Sequence, residues 1–382
     1  MAGIYIHIPF CKKRCIYCDF YSATDLSLKD SYVSALLQEI KLKNKYIENK
    51  PVHTIYFGGG TPSLLPCRDF CKIFNELKSN FQIVDLPEIT LEANPDDLSE
   101  TYISELKMLP VNRLSIGVQS FDDDDLMFLN RRHTTEDAIN AVKHCKNAGF
   151  DNISIDLIYG IPRQTVAKWK QNIDMALSLN VQHISAYALS FEEGTQIYNL
   201  KEKGQIQPVD DELNEMFFKI LVAKLTRAGY IHYEISNFAG KTPDQPHGIL
   251  SKHNSSYWNG AHFLGLGAAA HSCNGETRSW NISSVTGYIQ SITEKHVLPS
   301  EIEFLDERMK YNEYIITRLR TMWGITLNEL EILFGKPKKQ QLLQQCEKYI
   351  RQNKLTIKDG NIRLTESGIF ISDLILRDLI VI

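Results

Sequence analysis

Three cysteines crowd into eight positions near the start of the chain, Cys11-Lys12-Lys13-Arg14-Cys15-Ile16-Tyr17-Cys18, with the spacing C-x3-C-x2-C. Only eight cysteines occur in 382 residues, so this clustering does not describe a disulfide framework and points to metal binding. Thiolates hold iron-sulfur clusters, and four of them complete a [4Fe-4S] cubane. With three supplied locally, one iron keeps an open position at which an outside molecule can be activated. The competing assignment is structural zinc in a Cys3His set, with His7 four residues before Cys11. His7 alternates with Ile6 and Ile8 inside a predicted strand, a pattern that instead makes it a buried, hydrogen-bonded residue.

Gly58-Gly59-Gly60-Thr61-Pro62 is the second signal. Consecutive glycines let a backbone approach a ligand and expose N–H donors to it, although taken alone such a run is better explained by a tight strand-to-helix turn. Polar residues end three predicted strands whose other positions are apolar: Glu92, Gln119 and Asp156. A carboxylate at Glu92 suits an ammonium group, a fork at Arg131 suits a carboxylate, and Asp156 can accept from ribose hydroxyls. S-adenosylmethionine carries all three partners. Arg132 satisfies the spacing as well as Arg131 does.

The elements that must position these groups follow from hydrophobic periodicity. Strands are expected at Ile4 to Ile8, His53 to Phe57, Glu88 to Leu91, Arg113 to Val118, Asn152 to Leu157 and His183 to Leu189. Between them lie helical faces such as Val33, Leu36, Leu37 and Ile40, or Val166, Trp169, Ile173 and Leu177, with Thr134 or Thr135 and Thr165 as N-caps. Six βα units are too few to close an eight-stranded barrel, so the expectation is an α/β fold built on a partial, open (β/α)6 barrel with its site at the carboxyl ends of the strands. A long helix over residues 213–225 stops near Gly229, and residues 236–285 show little periodicity and read as a functional or interfacial loop region. The end of the chain, with a hairpin signal around Gly360, reads as a small winged-helix-like domain. The expected division is a barrel over residues 1–200, a helical and loop extension over 201–300, and a C-terminal domain over 301–382.

Composition narrows the function class. A net charge of -4 with 23% charged residues creates no field that would draw the molecule to nucleic acid, and the cluster Lys336, Lys338 and Lys339 reads as a solvated turn. No apolar run is long enough to cross a bilayer and the first ten residues do not read as a signal peptide, so a cytoplasmic location is expected.

The C-x3-C-x2-C loop with Tyr17 before its last cysteine, together with Gly58 to Pro62, resembles the radical S-adenosylmethionine superfamily. HIPFC at 7–11, LSIGVQ at 114–119 and IDLIYGIP at 155–162 resemble its oxygen-independent coproporphyrinogen III oxidase-like group, over essentially the whole chain. The resemblance implies a [4Fe-4S] cluster on Cys11, Cys15 and Cys18. It also implies an S-adenosylmethionine site lined by Tyr5, Tyr17, Gly59, Gly60, Thr61, Glu92, Gln119, Arg131 and Asp156, radical chemistry, and a reductant such as flavodoxin or ferredoxin. Two departures separate the chain from the oxidases proper: Asp19 and Phe20 stand where those enzymes carry a further cysteine, and the segment before the first strand is short. Both lean toward the haem-chaperone branch of the group, which implies haem as cargo and a haem-protein acceptor, for example in a membrane.

His253-Asn254-Ser255-Ser256-Tyr257-Trp258 is similar to the H-N-x-x-Y-W motif of that branch, and makes His253, Asn254, Tyr257 and Trp258 a candidate haem region. An imidazole can ligate haem iron, and Tyr and Trp offer flat faces to a porphyrin. His247, His262 and His271 are nearby alternatives. The competing function is oxidative decarboxylation of coproporphyrinogen or another radical reaction on a tetrapyrrole.

Overall fold

A computed structural model describes residues 1–381. Six parallel strands run side by side in chain order: β1 (Ala2–Ile8), β2 (Val52–Gly59), β3 (Ile83–Ala93), β4 (Arg113–Gln119), β5 (Ile153–Tyr159) and β6 (His183–Ala188). β1 and β6 do not pair with each other, so the sheet is an open arc as expected from six units.

Alternation along the strands gives the arc two unlike faces. Ile4, Ile6, Ile8, Ile55, Phe57, Leu91, Leu114, Ile116, Ile155 and Ile184 point outward and pack against helices Lys29–Leu42, Cys67–Asn80, Thr135–Asn147 and Val166–Ser178. Each such side chain stabilises the fold by roughly 1.5–3 kcal/mol through removal from water. The inward face is polar: Thr54, Tyr56, Glu88, Thr90, Glu92, Arg113, Ser115, Ser154, Asp156, His183 and Ser185 alternate with the outward apolar set. Thr134 is the N-cap of its helix, with a reciprocal bond from Asp137, and Thr165 caps the next.

Residues 236–285 carry more regular structure than periodicity suggested: only 240–251 forms a long irregular stretch, and short strands and a helix fill much of the rest. β7 (Ile231–His232) and β8 (Asn237–Ala239) extend the sheet beyond β6. β9 (His262–Leu266) adds in parallel to β1, followed by antiparallel β10 (His271–Cys273), β11 (Thr277–Asn281) and β12 (Ser300–Phe304). These strands have at most five residues, too short for a period of two to stand out among Gly, Ser and Asn. Glu39, fully buried in helix Lys29–Leu42, fastens the addition: it accepts from the Gly267 N–H, the Asn281 amide and the Tyr288 hydroxyl, and it pairs with Lys43 at 2.9 Å.

A second hydrophobic core, including Tyr311, Ile315, Leu319, Leu342, Cys346, Ile362 and Ile375, forms the C-terminal domain around the three-stranded sheet Ile325–Thr326, Asn361–Leu364, Leu355–Lys358. The lysine cluster lies in helix Leu327–Arg351 just after a kink at Gly335, with Lys339 bonded to Glu331 at 2.6 Å; it is helical and not a turn.

Candidate functional site

The cysteine loop leaves β1 at the carboxyl end of the sheet. Its entry is fixed by the Cys11 N–H donating to the Ala23 carbonyl at 2.9 Å. Its middle is fixed by segments far along the chain: the Ile16 N–H donates to Leu129, the Ile197 N–H donates to Ile16, and the Asn130 amide donates to the Arg14 carbonyl at 2.8 Å. Cys11 is buried, Cys15 and Cys18 are half-buried, and burial pushes the Cys18 thiol up to about 11.

All three cysteines line a cavity of about 430 Å3, large enough for a small molecule of cofactor size. Tyr17, Gly59, Gly60, Thr61, Glu92, Gln119, Arg131 and Asp156 line it too. Tyr5 does not. Its hydroxyl donates to His7 Nδ1 at 3.0 Å and its ring lies over Tyr56, one layer below the cavity floor. His7 in turn donates from Nε2 to the Tyr21 carbonyl, so both ring nitrogens are engaged and neither is free for a zinc ion.

Arg131 and Arg132 part ways. Arg131 reaches into the cavity, donating to Cys15 Sγ at 3.3 Å, to the Gly117 carbonyl at 2.7 Å and to Asn94 Oδ1. Its Nε is buried and has no partner. Arg132 is taken up by Asp96 and Asp97. Glu92 accepts from the Tyr56 hydroxyl at 2.7 Å and from the Gly59 N–H at 3.2 Å, and burial pushes its carboxyl up to about 7. Burial likewise raises Asp156 to about 6, against a bond from Ser115. Both carboxyls keep an edge on the cavity while protein encloses the rest. Gln119 ends β4 at φ 68°, a left-handed conformation that a side chain other than glycine adopts at a cost.

The glycine run works differently from the expectation. The Gly59 N–H is used by Glu92, and the Gly60 N–H donates to the Ile8 carbonyl at 2.9 Å, so neither is left for a ligand. A Cβ on Gly59, at φ 107°, would overlap the His7 ring, and one on Gly60 would meet the Phe10 backbone. The glycines let β2 press against the root of the cysteine loop. Asn94 escaped sequence reading: its amide donates to Thr61 Oγ1 at 3.2 Å, Thr61 donates to Cys11 Sγ at 3.5 Å, and its carbonyl takes Arg131, which links all three elements.

His253, Asn254, Tyr257 and Trp258 sit on a short helix, Lys252–Trp258, whose first N–H groups donate to Glu88. The helix plugs the inner face of β1 and β2 away from the cavity. His253 is 1% exposed, with Nδ1 bonded to Thr54 Oγ1 at 2.8 Å and Nε2 to the Tyr257 hydroxyl at 2.7 Å, and its ring stacks on Tyr56. Burial pushes it down to about 3, so it is neutral, and neither nitrogen is open to a metal in this arrangement.

Comparison with known proteins fits this geometry. The Radical SAM superfamily matches residues 5–176 and the HemN C-terminal domain matches residues 305–371. The "Heme chaperone HemW" of Bacillus subtilis is 36% identical over 338 residues, covering 88% of each chain. The chain belongs to the HemW family. A second HemW, from Lactococcus lactis, is 32% identical over 95% of this chain and 93% of its own. Coproporphyrinogen III oxidase (HemN) from Escherichia coli superposes with a TM-score of 0.84 over 99% of this chain and 89% of its own, at 23% identity, a likeness of fold.

A HemW-family radical SAM protein carries a [4Fe-4S] cluster and S-adenosylmethionine, and the residues present fit both. Three thiols share one cavity that none of the other five cysteines lines, so a cubane held there by these three would keep one iron for a ligand other than a cysteine. The unpartnered Arg131 Nε and the raised carboxyls of Glu92 and Asp156 are groups that a charged, hydroxylated ligand would satisfy. When bound, the two cofactors would supply one-electron chemistry, and the protein supplies the residues that position them.

Proposed function

We propose that this protein binds haem and hands it to acceptor haem proteins, keeping the cluster and S-adenosylmethionine as part of its working state. The observation that carries the reading is its 36% identity, across 88% of both chains, to a protein named a haem chaperone. Phe20 on the cavity wall, two positions after Cys18 where the oxidases of the group have a further cysteine, supports it.

In this reading Cys11, Cys15 and Cys18 hold the cluster. Glu92 receives the ammonium of S-adenosylmethionine, Arg131 its carboxylate and Asp156 its ribose, while Gly59, Gly60, Thr61, Tyr17 and Gln119 shape the wall; Tyr5 acts from below through His7 and Tyr56. The protein works in the cytoplasm, takes an electron from a flavodoxin or ferredoxin, and delivers to a membrane haem protein. No helix among the described residues is long and apolar enough to cross a membrane.

The test is anaerobic reconstitution of the cluster followed by parallel assays. Haem binding without conversion of coproporphyrinogen to protoporphyrinogen is the expected outcome. Decarboxylation accompanied by 5'-deoxyadenosine would overturn it in favour of the oxidase.

A further inference from the structure

Among the described residues, a second hollow of about 380 Å3 lies outside the cysteine cavity, lined by Phe263, His271, Arg278, Trp280 and Glu303. Strand register puts all five on one face: Cys273 pairs with Phe263 and with Arg278, His271 with Trp280, and Arg278 with Glu303. That face continues the inward side of the arc, because β9 pairs with β1 so that Phe263 lies beside Gly3.

We propose that haem docks in this hollow with His271 as the ligand to its iron. The proposal rests on the haem-chaperone reading and gives it a site. Haem needs a donor atom for an axial position of iron, apolar surface for the macrocycle, and a cation near the propionates. His271 is exposed and neither ring nitrogen has a protein partner. Its ring lies 6.1 Å from that of Trp280 at 28°. Desolvation first, and then Arg278, lower its pKa, which keeps the imidazole neutral and able to donate to a metal. The other histidines of this region compare poorly: His253 is buried with both nitrogens bonded, His262 is bonded to Lys50, and His247 lines neither cavity.

Phe263 supplies apolar surface, and Trp280, its ring 28° from the His271 imidazole, turns its edge to a macrocycle standing across that imidazole. Arg278 supplies the cation, now shared with Glu313 of the helix Glu307–Leu319, with Glu303 beside it in register. The position of His271 is built in: a Cβ on Gly265 would overlap its backbone carbonyl, so only glycine in β9 lets this strand come so close. The H-N-x-x-Y-W helix then has a supporting part. Tyr257, held by His253, packs edge-on against Phe263 at 4.7 Å and so fixes the back of the hollow.

The experiment is titration of the cluster-reconstituted full chain with ferric haem, followed by Soret absorbance. His271→Ala is expected to weaken haem binding tenfold or more and remove the signature of imidazole ligation, and added imidazole should restore that signature to His271→Gly. Iron-free protoporphyrin IX should bind wild type and His271→Ala alike, which reports an intact hollow. His262→Ala, His247→Ala and Cys273→Ser should match wild type. Unchanged haem affinity and spectrum in His271→Ala, or loss that follows Cys273→Ser instead, overturns the site while leaving the chaperone reading standing. Failure of the wild-type chain to bind haem defeats that reading itself.

Discussion

The chemistry of the main cavity turns on a few polar side chains held away from bulk water. Glu92, raised to about 7, prefers its protonated form near neutrality in the unliganded protein, and a ligand ammonium favours the ionised form. Binding therefore releases a proton. S-adenosylmethionine affinity should rise as pH increases from 6 to 8, measured calorimetrically in buffers of different ionisation enthalpy, and Glu92→Gln should flatten the profile. The same shift acts on folding in the opposite sense: a carboxyl whose folded pKa lies above its unfolded value gives stability below about pH 4.3 that is lost as pH climbs through about 7. Arg131→Lys removes the fork and is expected to weaken S-adenosylmethionine roughly tenfold or more, on the scale of a charge-assisted bond, whereas Arg132→Lys should change it little. Spacing could not separate these two arginines, because the difference lies in Asp96 and Asp97, which draw Arg132 aside.

At the level of elements, the six strands and the carboxyl-end placement of Glu92, Gln119 and Asp156 were legible because alternation over six or seven residues is a strong signal. What stayed hidden depended on contacts distant in the chain. The glycine run pointed to close approach, yet the approaching partner is the His7 ring and the Phe10 backbone, not a ligand. Asn94 sits just past β3 with nothing local to mark it, and β8 to β12 are too short to show a period. Gly59→Ala combines a positive φ with an overlap in a packed place, so a loss of about 2 kcal/mol or more is expected. The readouts are the thermal midpoint and the iron content per chain after reconstitution, both of which should fall.

On the scale of the whole molecule, the two largest hydrophobic cores lie one under the arc and one in the C-terminal domain, with a smaller cluster around Ile16, Leu129 and Ile197 beneath the cysteine loop. They meet through the Met322 N–H donating to the Tyr233 carbonyl at 2.9 Å, through Arg318 on Asn259, and through Arg278 on Glu313. Ile362, fully buried in the second core, gives a clean test of their independence. Ile362→Ala should destabilise the C-terminal domain by roughly 2–5 kcal/mol. Calorimetry should register that loss while S-adenosylmethionine affinity stays at the wild-type value.

The cysteine loop is synthesised well before the segments that hold its middle, Leu129, Asn130 and Ile197. Its thiols therefore have no finished pocket until about 180 further residues have been made, which at ordinary translation speed is a delay of roughly 10–35 s. Through that interval three reactive sulfurs stand unprotected on a nascent chain. Assembly of a cluster in the finished pocket therefore has to follow synthesis of Ile197.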